Sequence, residues 1–143
     1  MQLKPLTKQT ACILPVFSHT VPAGFPSPAD DYIDRGLDLN EHLIQHPAAT
    51  YFVRAEGDSM LSLGIHSGDL LVVDRSLEAT HGDVVIAAIN GELTCKVLDL
   101  RKHRLLSGNE RFPPIPLGPD AELVIEGIVT ASIRYHRALL QER

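Results

Sequence analysis

The dipeptide Asn90-Gly91 stands between two apolar runs, 83–89 and 92–98, and this arrangement limits the fold more than any other feature of the chain. A two-residue turn of this type needs positive φ at both positions, which Asn and Gly tolerate, and it folds the flanking runs back on each other as an antiparallel hairpin. Other short runs carry the same β signature. Residues 51–56, 70–74, 103–107 and 123–135 read as strands, and turn-rich segments at 64–68 and 111–119 separate them. One short helix is expected over 38–46, with Asp38 as its cap, Glu41 three residues on and Pro47 as its stop. No internal repeat is visible. The fold expected is mostly β: a compact antiparallel domain with one short helix. With no tryptophan and few aromatics, its core must be built from Val, Ile, Leu and Ala.

The first 30 residues differ from the rest. Pro5, Pro15, Pro22, Pro26 and Pro28 forbid a long helix and remove strand donors. Short apolar groups, Cys12-Ile13-Leu14 and Val16-Phe17, could still lie extended on a neighbouring surface. The division expected is an extended arm over 1–30, without a core of its own, followed by a β-rich domain over 31–143. Charge follows a similar division. Residues 1–23 hold Lys4, Lys8 and no acid, whereas 24–143 carry a formal charge of −7.

The whole-chain charge of −5 argues against a protein that works by neutralising phosphates, so no direct nucleic-acid binding is expected. Two cysteines, Cys12 and Cys95, make neither a disulfide framework nor a zinc knuckle. No apolar run approaches the roughly 20 residues that span a bilayer, and the N-terminus lacks the order of a secretory signal. A cytoplasmic protein with no membrane partner is the expectation.

Candidate chemistry centres on Gly57-Asp58-Ser59-Met60. A serine presented on a tight turn after a strand can act as a nucleophile, and the backbone N–H groups of Ser59 and Asp58 could face a developing oxyanion. Taken alone, Gly-Asp-Ser is better read as ordinary turn chemistry. Lys96 lies within the apolar strand 92–98, sharing a face with Thr94 and Leu98 while Cys95 and Val97 share the other. A strand lysine commonly snorkels to water. If buried, its ammonium is disfavoured and the neutral amine can serve as a base, and serine with lysine is an established alternative to serine with histidine. In the arm, Ala23 and Gly24 form a small, proline-fenced peptide that could enter a narrow cleft or simply belong to a linker.

Other residues offer less. His42 and His46 have the spacing of a two-histidine metal face, but no third ligand accompanies them and a solvated helix face is the better reading. No metal or cofactor is expected. Cys95 reads as a small packed side chain rather than a reactive thiol. Glu56, Asp58 and Asp69 could orient a site, although turn capping explains the two aspartates equally well.

Several linked segments resemble the UmuD-type relatives of the LexA repressors. They are Ala23-Gly24-Phe25-Pro26-Ser27-Pro28-Ala29-Asp30-Asp31-Tyr32, Leu37-Asp38-Leu39-Asn40, the Gly57-Asp58-Ser59-Met60 turn, Ser67-Gly68-Asp69-Leu70-Leu71-Val72-Val73-Asp74 and the hairpin that starts at His81-Gly82-Asp83 and carries Lys96. The resemblance covers most of 12–135. It implies a LexA-like peptidase fold, self-cleavage between Ala23 and Gly24, Ser59 as nucleophile and Lys96 as general base. It further implies a homodimer, activation by a RecA filament on single-stranded DNA, and a cleaved product that joins a UmuC-type polymerase subunit in translesion synthesis during the SOS response. Two readings compete. A LexA-like repressor would need a helix-turn-helix domain ahead of the cleavage site, which 23 residues cannot hold. A purely interacting subunit, with Ser59 and Lys96 as relics, remains open at this level.

Overall fold

The computed structural model describes residues 10–17, 20–21 and 33–138. Two compact units divide between Gln45 and His46. In the first, strand β1 (Leu14–Phe17) pairs antiparallel with β2 (Ile33–Leu37). The sequence reading had no strand pair here. Pro15 is tolerated because each strand of a two-stranded sheet is an edge, where a missing N–H need not break a ladder. Gly36 permits the close approach, since a Cβ at that position would fall 2.3 Å from Ile13 Cγ2.

Helix α1 (Leu39–Leu43) follows, capped by Asp38, whose carboxylate accepts from Asn40 N at 3.0 Å. The helix is shorter than the expected 38–46. Ile44 is already extended, and His46 precedes Pro47, a position from which the proline ring excludes the α conformation. No residue of α1 is buried.

The second unit is a seven-stranded sheet formed by β3 (Thr50–Arg54), β4 (Leu70–Asp74), β5 (Val84–Ile89), β6 (Glu92–Asp99), β7 (Arg104–Leu106), β8 (Ile115–Pro116) and β9 (Leu123–Ile133), in the spatial order β3-β4-β9-β5-β6-β7-β8. All its pairings are antiparallel. The mostly β fold expected from the sequence is therefore present. Asn90 and Gly91 both take positive φ, 49° and 85°, and close the β5–β6 hairpin as their chemistry requires. Strand β8 was not anticipated, because Pro113, Pro114 and Pro116 mark 111–119 as turn. It survives as two residues at the sheet edge, where proline is permitted.

Alternation along β5 and β6 sorts side chains between two apolar clusters. Ile86, with Val84, Cys95 and Val97, packs against Tyr51, Met60, Ile65, Leu71 and Val73. Val85 and Ala87 join Leu98, Leu105 and Ile128 in the other cluster. Apart from Tyr51 and Met60, the buried apolar residues are Val, Ile, Leu or Ala, the core that the composition demands. The long strand β9 bridges β4 and β5, and Gly127 lets it do so. A Cβ there would stand 2.4 Å from Val73 Cγ1 and 3.3 Å from both Asp74 O and Tyr51 Oη. Gly127→Ala should lower the unfolding free energy by about 1–3 kcal/mol through overpacking, read as a lower urea midpoint with an unchanged slope.

Candidate active site

The connection from β3 to β4 carries the candidate nucleophile. The ladder extends past β3, with Ala55 N donating to Asp69 O at 2.9 Å and Gly68 N to Ala55 O at 2.8 Å. Gly57 then turns the chain with φ +91°, and its N–H donates to Ser67 Oγ at 3.2 Å. Directly after Ser59, Met60 plunges into the core at 3% exposure. Ser59 thus sits between a glycine turn and a buried anchor. Residues 61–63 form one 3-10 turn that ends at Gly64 in the left-handed conformation.

Two distant segments brace this connection. Gly108 O accepts from Ser62 N at 2.6 Å, and Asn109 Nδ2 donates to Asp58 O at 2.9 Å. Gly108 leaves no room for a side chain, as a Cβ would lie 3.0 Å from Met60 Cα. On the other side, Arg134 beyond β9 donates from Nε and Nη2 to the two carboxylate oxygens of Asp69, at 3.0 and 2.7 Å, and from Nη2 to Gly64 O at 2.7 Å; it also contacts His66 Nδ1. The Arg134 hydrogen bonds hold the Asp69 carboxyl below the usual range, against the opposing effect of its burial. Asp69 also accepts from His66 N at 2.8 Å. It caps the turn and anchors it across the sheet, combining the two roles considered for it.

Lys96 comes from the middle of β6, between β5 and β7. It does not snorkel: only 8% of it is exposed. Its Nζ lies 2.8 Å from Ser59 Oγ in a hydrogen bond that joins residues 37 positions apart. Burial lowers the Lys96 pKa, with Cys95 opposing that shift. Burial likewise raises the pKa of the Cys95 thiol, and Lys96 works against it. A raised thiol pKa means less thiolate, which fits the packed role expected of Cys95. Below its folded pKa the buried ammonium costs stability. The folded state binds fewer protons than the unfolded one between the two pKa values, so stability rises with pH there until the unfolded lysine also deprotonates near about 10.4.

Ser59 opens onto a cleft of ≈ 540 Å³ whose walls include Val53, Ala55, Met60, Ile86, Leu93 and Cys95. Thr94 and Glu56 also face it, whereas Lys96 is not among its lining residues and approaches the hydroxyl from behind. A hydroxyl at an apolar cleft, backed by a desolvated amine, can attack a bound carbonyl if the amine takes its proton. Of the other candidates, Asp58 contributes its carbonyl to the Asn109 brace. Ala23 and Gly24 lie outside the described residues. His42 and His46 do not share a helical face, because α1 has ended before His46; its Nδ1 instead meets Asp74 Oδ2 at 2.6 Å. No group of three or more His, Cys, Asp or Glu among the described residues could hold a metal ion. Nor is any described helix long and apolar enough to cross a membrane.

No sequence pattern announces the braces. Asn109 and Arg134 lie 51 and 65 positions from their partners, and no local pattern links them. A Gly-Asn pair in a loop is the sole cue, and it indicates a turn without saying what the turn supports.

Fold and site together define a serine-peptidase type of hydrolase architecture. The Peptidase S24-like family model matches residues 15–130. The chain is 51% identical to protein SamA of Salmonella typhimurium over 87% of each chain, and 46% identical to protein MucA of Escherichia coli over 90% of this chain and 89% of that one. It is also 43% identical to the LexA repressor of Thiobacillus denitrificans over 83% of this chain and 60% of that protein. The chain belongs to the S24 peptidase family, on its UmuD-type branch, as the motif resemblance implied.

The depressed basicity of Lys96 can be observed directly. Lys96 labelled with carbon-13 at its side-chain ε-carbon should titrate by NMR at lower pH than a free lysine side chain, about 10.4, and should keep that offset in Ser59→Ala because burial is its main cause. A midpoint at the free-lysine value would contradict the assignment.

Proposed function

We propose that this protein is a self-cleaving serine peptidase that removes residues 1–23 from its own N-terminal arm, the arm comprising residues 1–30. The observation that carries the reading is the 2.8 Å hydrogen bond between Ser59 Oγ and a lysine buried behind the cleft. In this mechanism the neutral Lys96 amine accepts the Ser59 proton as Oγ bonds to the Ala23 carbonyl carbon. The carbonyl oxygen becomes an oxyanion, met by the backbone N–H groups of Ser59 and Asp58. Collapse breaks the bond to Gly24 nitrogen, and the Lys96 ammonium returns its proton to that leaving amine. Water, deprotonated by the same lysine, then hydrolyses the Ser59 ester. Small side chains at Ala23 and Gly24 suit a restricted cleft, and the burial of Lys96 behind it keeps water from the amine.

Membership of the UmuD-type branch supports the wider setting. The uncleaved chain is a cytoplasmic homodimer. A RecA filament on single-stranded DNA favours the state with the arm in the cleft and contributes no catalytic group, a shift of population. Loss of the arm removes Lys4 and Lys8 and uncovers the surface on which it packed. The shortened chain then serves as accessory subunit to a UmuC-type polymerase in translesion synthesis, within the SOS response to DNA damage.

The test is a mass measurement on purified full-length chain across pH, with and without RecA, ATP and single-stranded DNA. The mass should fall by that of residues 1–23, faster with filament. Without filament the rate should climb with pH, as alkali supplies the neutral amine, and level off once Lys96 is deprotonated. Ser59→Ala should stay intact. Lys96→Ala and Lys96→Arg should lose the pH-dependent limb, the latter because guanidinium stays protonated. A rate that is flat from neutral to alkaline pH would remove Lys96 from the mechanism.

A further inference from the structure

The hydroxyl of Ser107 is buried without a hydrogen-bond partner, the one side-chain nitrogen or oxygen in that condition among the described residues. Such groups are uncommon, because a desolvated hydroxyl that bonds nothing weakens the fold. Its position is specific. β6 and β7 pair Leu98 with Leu105 and Val97 with Leu106. The paired register ends there, with Ser107 the next residue after Leu106 and Lys96 the residue before Val97, so the two flank the end of the ladder. Alternation continued one residue past β7 would give Ser107 the face of Leu105, Leu98 and Lys96. The next two residues are those that brace the nucleophile connection: Gly108 O accepts from Ser62 N, and Asn109 Nδ2 donates to Asp58 O. Ser107 therefore lies where the strand bearing Lys96 meets the segment that supports Ser59.

We propose that Ser107 is a positioning residue that receives a hydrogen bond from Lys96 when the lysine becomes an ammonium. This rests on the Ser59–Lys96 reading above. As the Ser59 Oγ–carbon bond forms, the hydroxyl proton moves to Nζ, and an amine with two N–H groups becomes an ammonium with three. Ser59 Oγ, now an ether-type oxygen bonded to the tetrahedral carbon, is a more hindered acceptor than before. The burial that supplies the neutral amine also disfavours this ammonium. Ser107 Oγ provides an acceptor that is already desolvated and has no other donor to give up when the charge appears. The ammonium then passes one proton to the leaving amine, and Ser107 returns to its unpartnered state. An oxygen left idle in the resting chain is thus used when the proton is on Lys96.

The experiment compares Ser107→Ala, Ser107→Thr and Ser59→Ala with wild type in the full chain, following arm cleavage by mass across pH and thermal unfolding in parallel. Ser107→Ala should lower the plateau rate about tenfold, the worth of one hydrogen bond to a charged group. It should move the alkaline limb to lower pH, since the ammonium has lost its acceptor. It should unfold at the same temperature as wild type or higher, since the hydroxyl removed had no partner. Ser107→Thr keeps the hydroxyl and should recover most of the rate. A wild-type rate and midpoint in Ser107→Ala, with Ser59→Ala silent, overturns the role of Ser107 and leaves the dyad standing. A slower rate with an unmoved midpoint and a lower melting temperature assigns Ser107 to packing and also overturns it. Cleavage that persists in Ser59→Ala overturns both readings.

Discussion

A lysine taken out of water behind a serine hydroxyl is the interaction on which the rest of this structure depends. Lys96 could be exposed at little cost; instead it is central in β6, paired with Val85 of β5, with 8% of its surface accessible. That burial weakens the fold wherever the group would be charged, and among the described residues no carboxylate is bonded to Nζ to offset it. Its hydrogen-bond partner is the neutral Ser59 hydroxyl. A carboxylate would hold the proton on the lysine and stabilise the protein, at the expense of its basicity. The arrangement favours a reactive amine over a stable ion pair, a trade of stability against reactivity.

Ser59 has to be held as firmly as Lys96, and its own connection cannot do this alone. Ala55 and Asp69 are fourteen positions apart in sequence, although the two are hydrogen-bonded neighbours across the base of the connection. Met60 provides an apolar anchor inside it. The remaining supports come from elsewhere: the 107–109 segment leads out of β7, and Arg134 follows β9. Because β7 is also the partner of β6, the strand that positions the lysine and the loop that supports the serine are joined through a single segment. The distance between Ser59 Oγ and Lys96 Nζ is therefore a property of the sheet.

Much of this was legible beforehand, for identifiable reasons. Asn90-Gly91 announced the hairpin because few other pairs tolerate positive φ at both turn positions, and period-two alternation placed Lys96 and Cys95 on opposite faces. Asp38 marked the start of the helix, whereas Pro47 lies four positions beyond its end at Leu43. Where proline density suggested turn or arm, edge strands form at Ile115–Pro116 and Leu14–Phe17, since proline excludes a central strand but not an edge. Burial of Lys96 could only be inferred from its apolar neighbours. The roles of Gly108, Asn109 and Arg134 rest on contacts between residues some fifty or more positions apart, for which one sequence carries no local signal.

The central claim is that the Ser59 hydroxyl owes its reactivity to the neutral amine of Lys96. It can be tested without the arm-cleavage reaction by measuring how fast a small phosphonofluoridate reagent modifies Ser59 in the full-length protein as a function of pH, in wild type and in Lys96→Met. Modification is located by peptide mass, and the Lys96 titration is followed in the same samples. The account predicts that labelling of wild type rises in step with deprotonation of Lys96, and that Lys96→Met, folded and of similar volume, is labelled far more slowly at every pH. Labelling of Ser59 in Lys96→Met at the wild-type rate, or wild-type labelling that ignores the titration of Lys96, would contradict it.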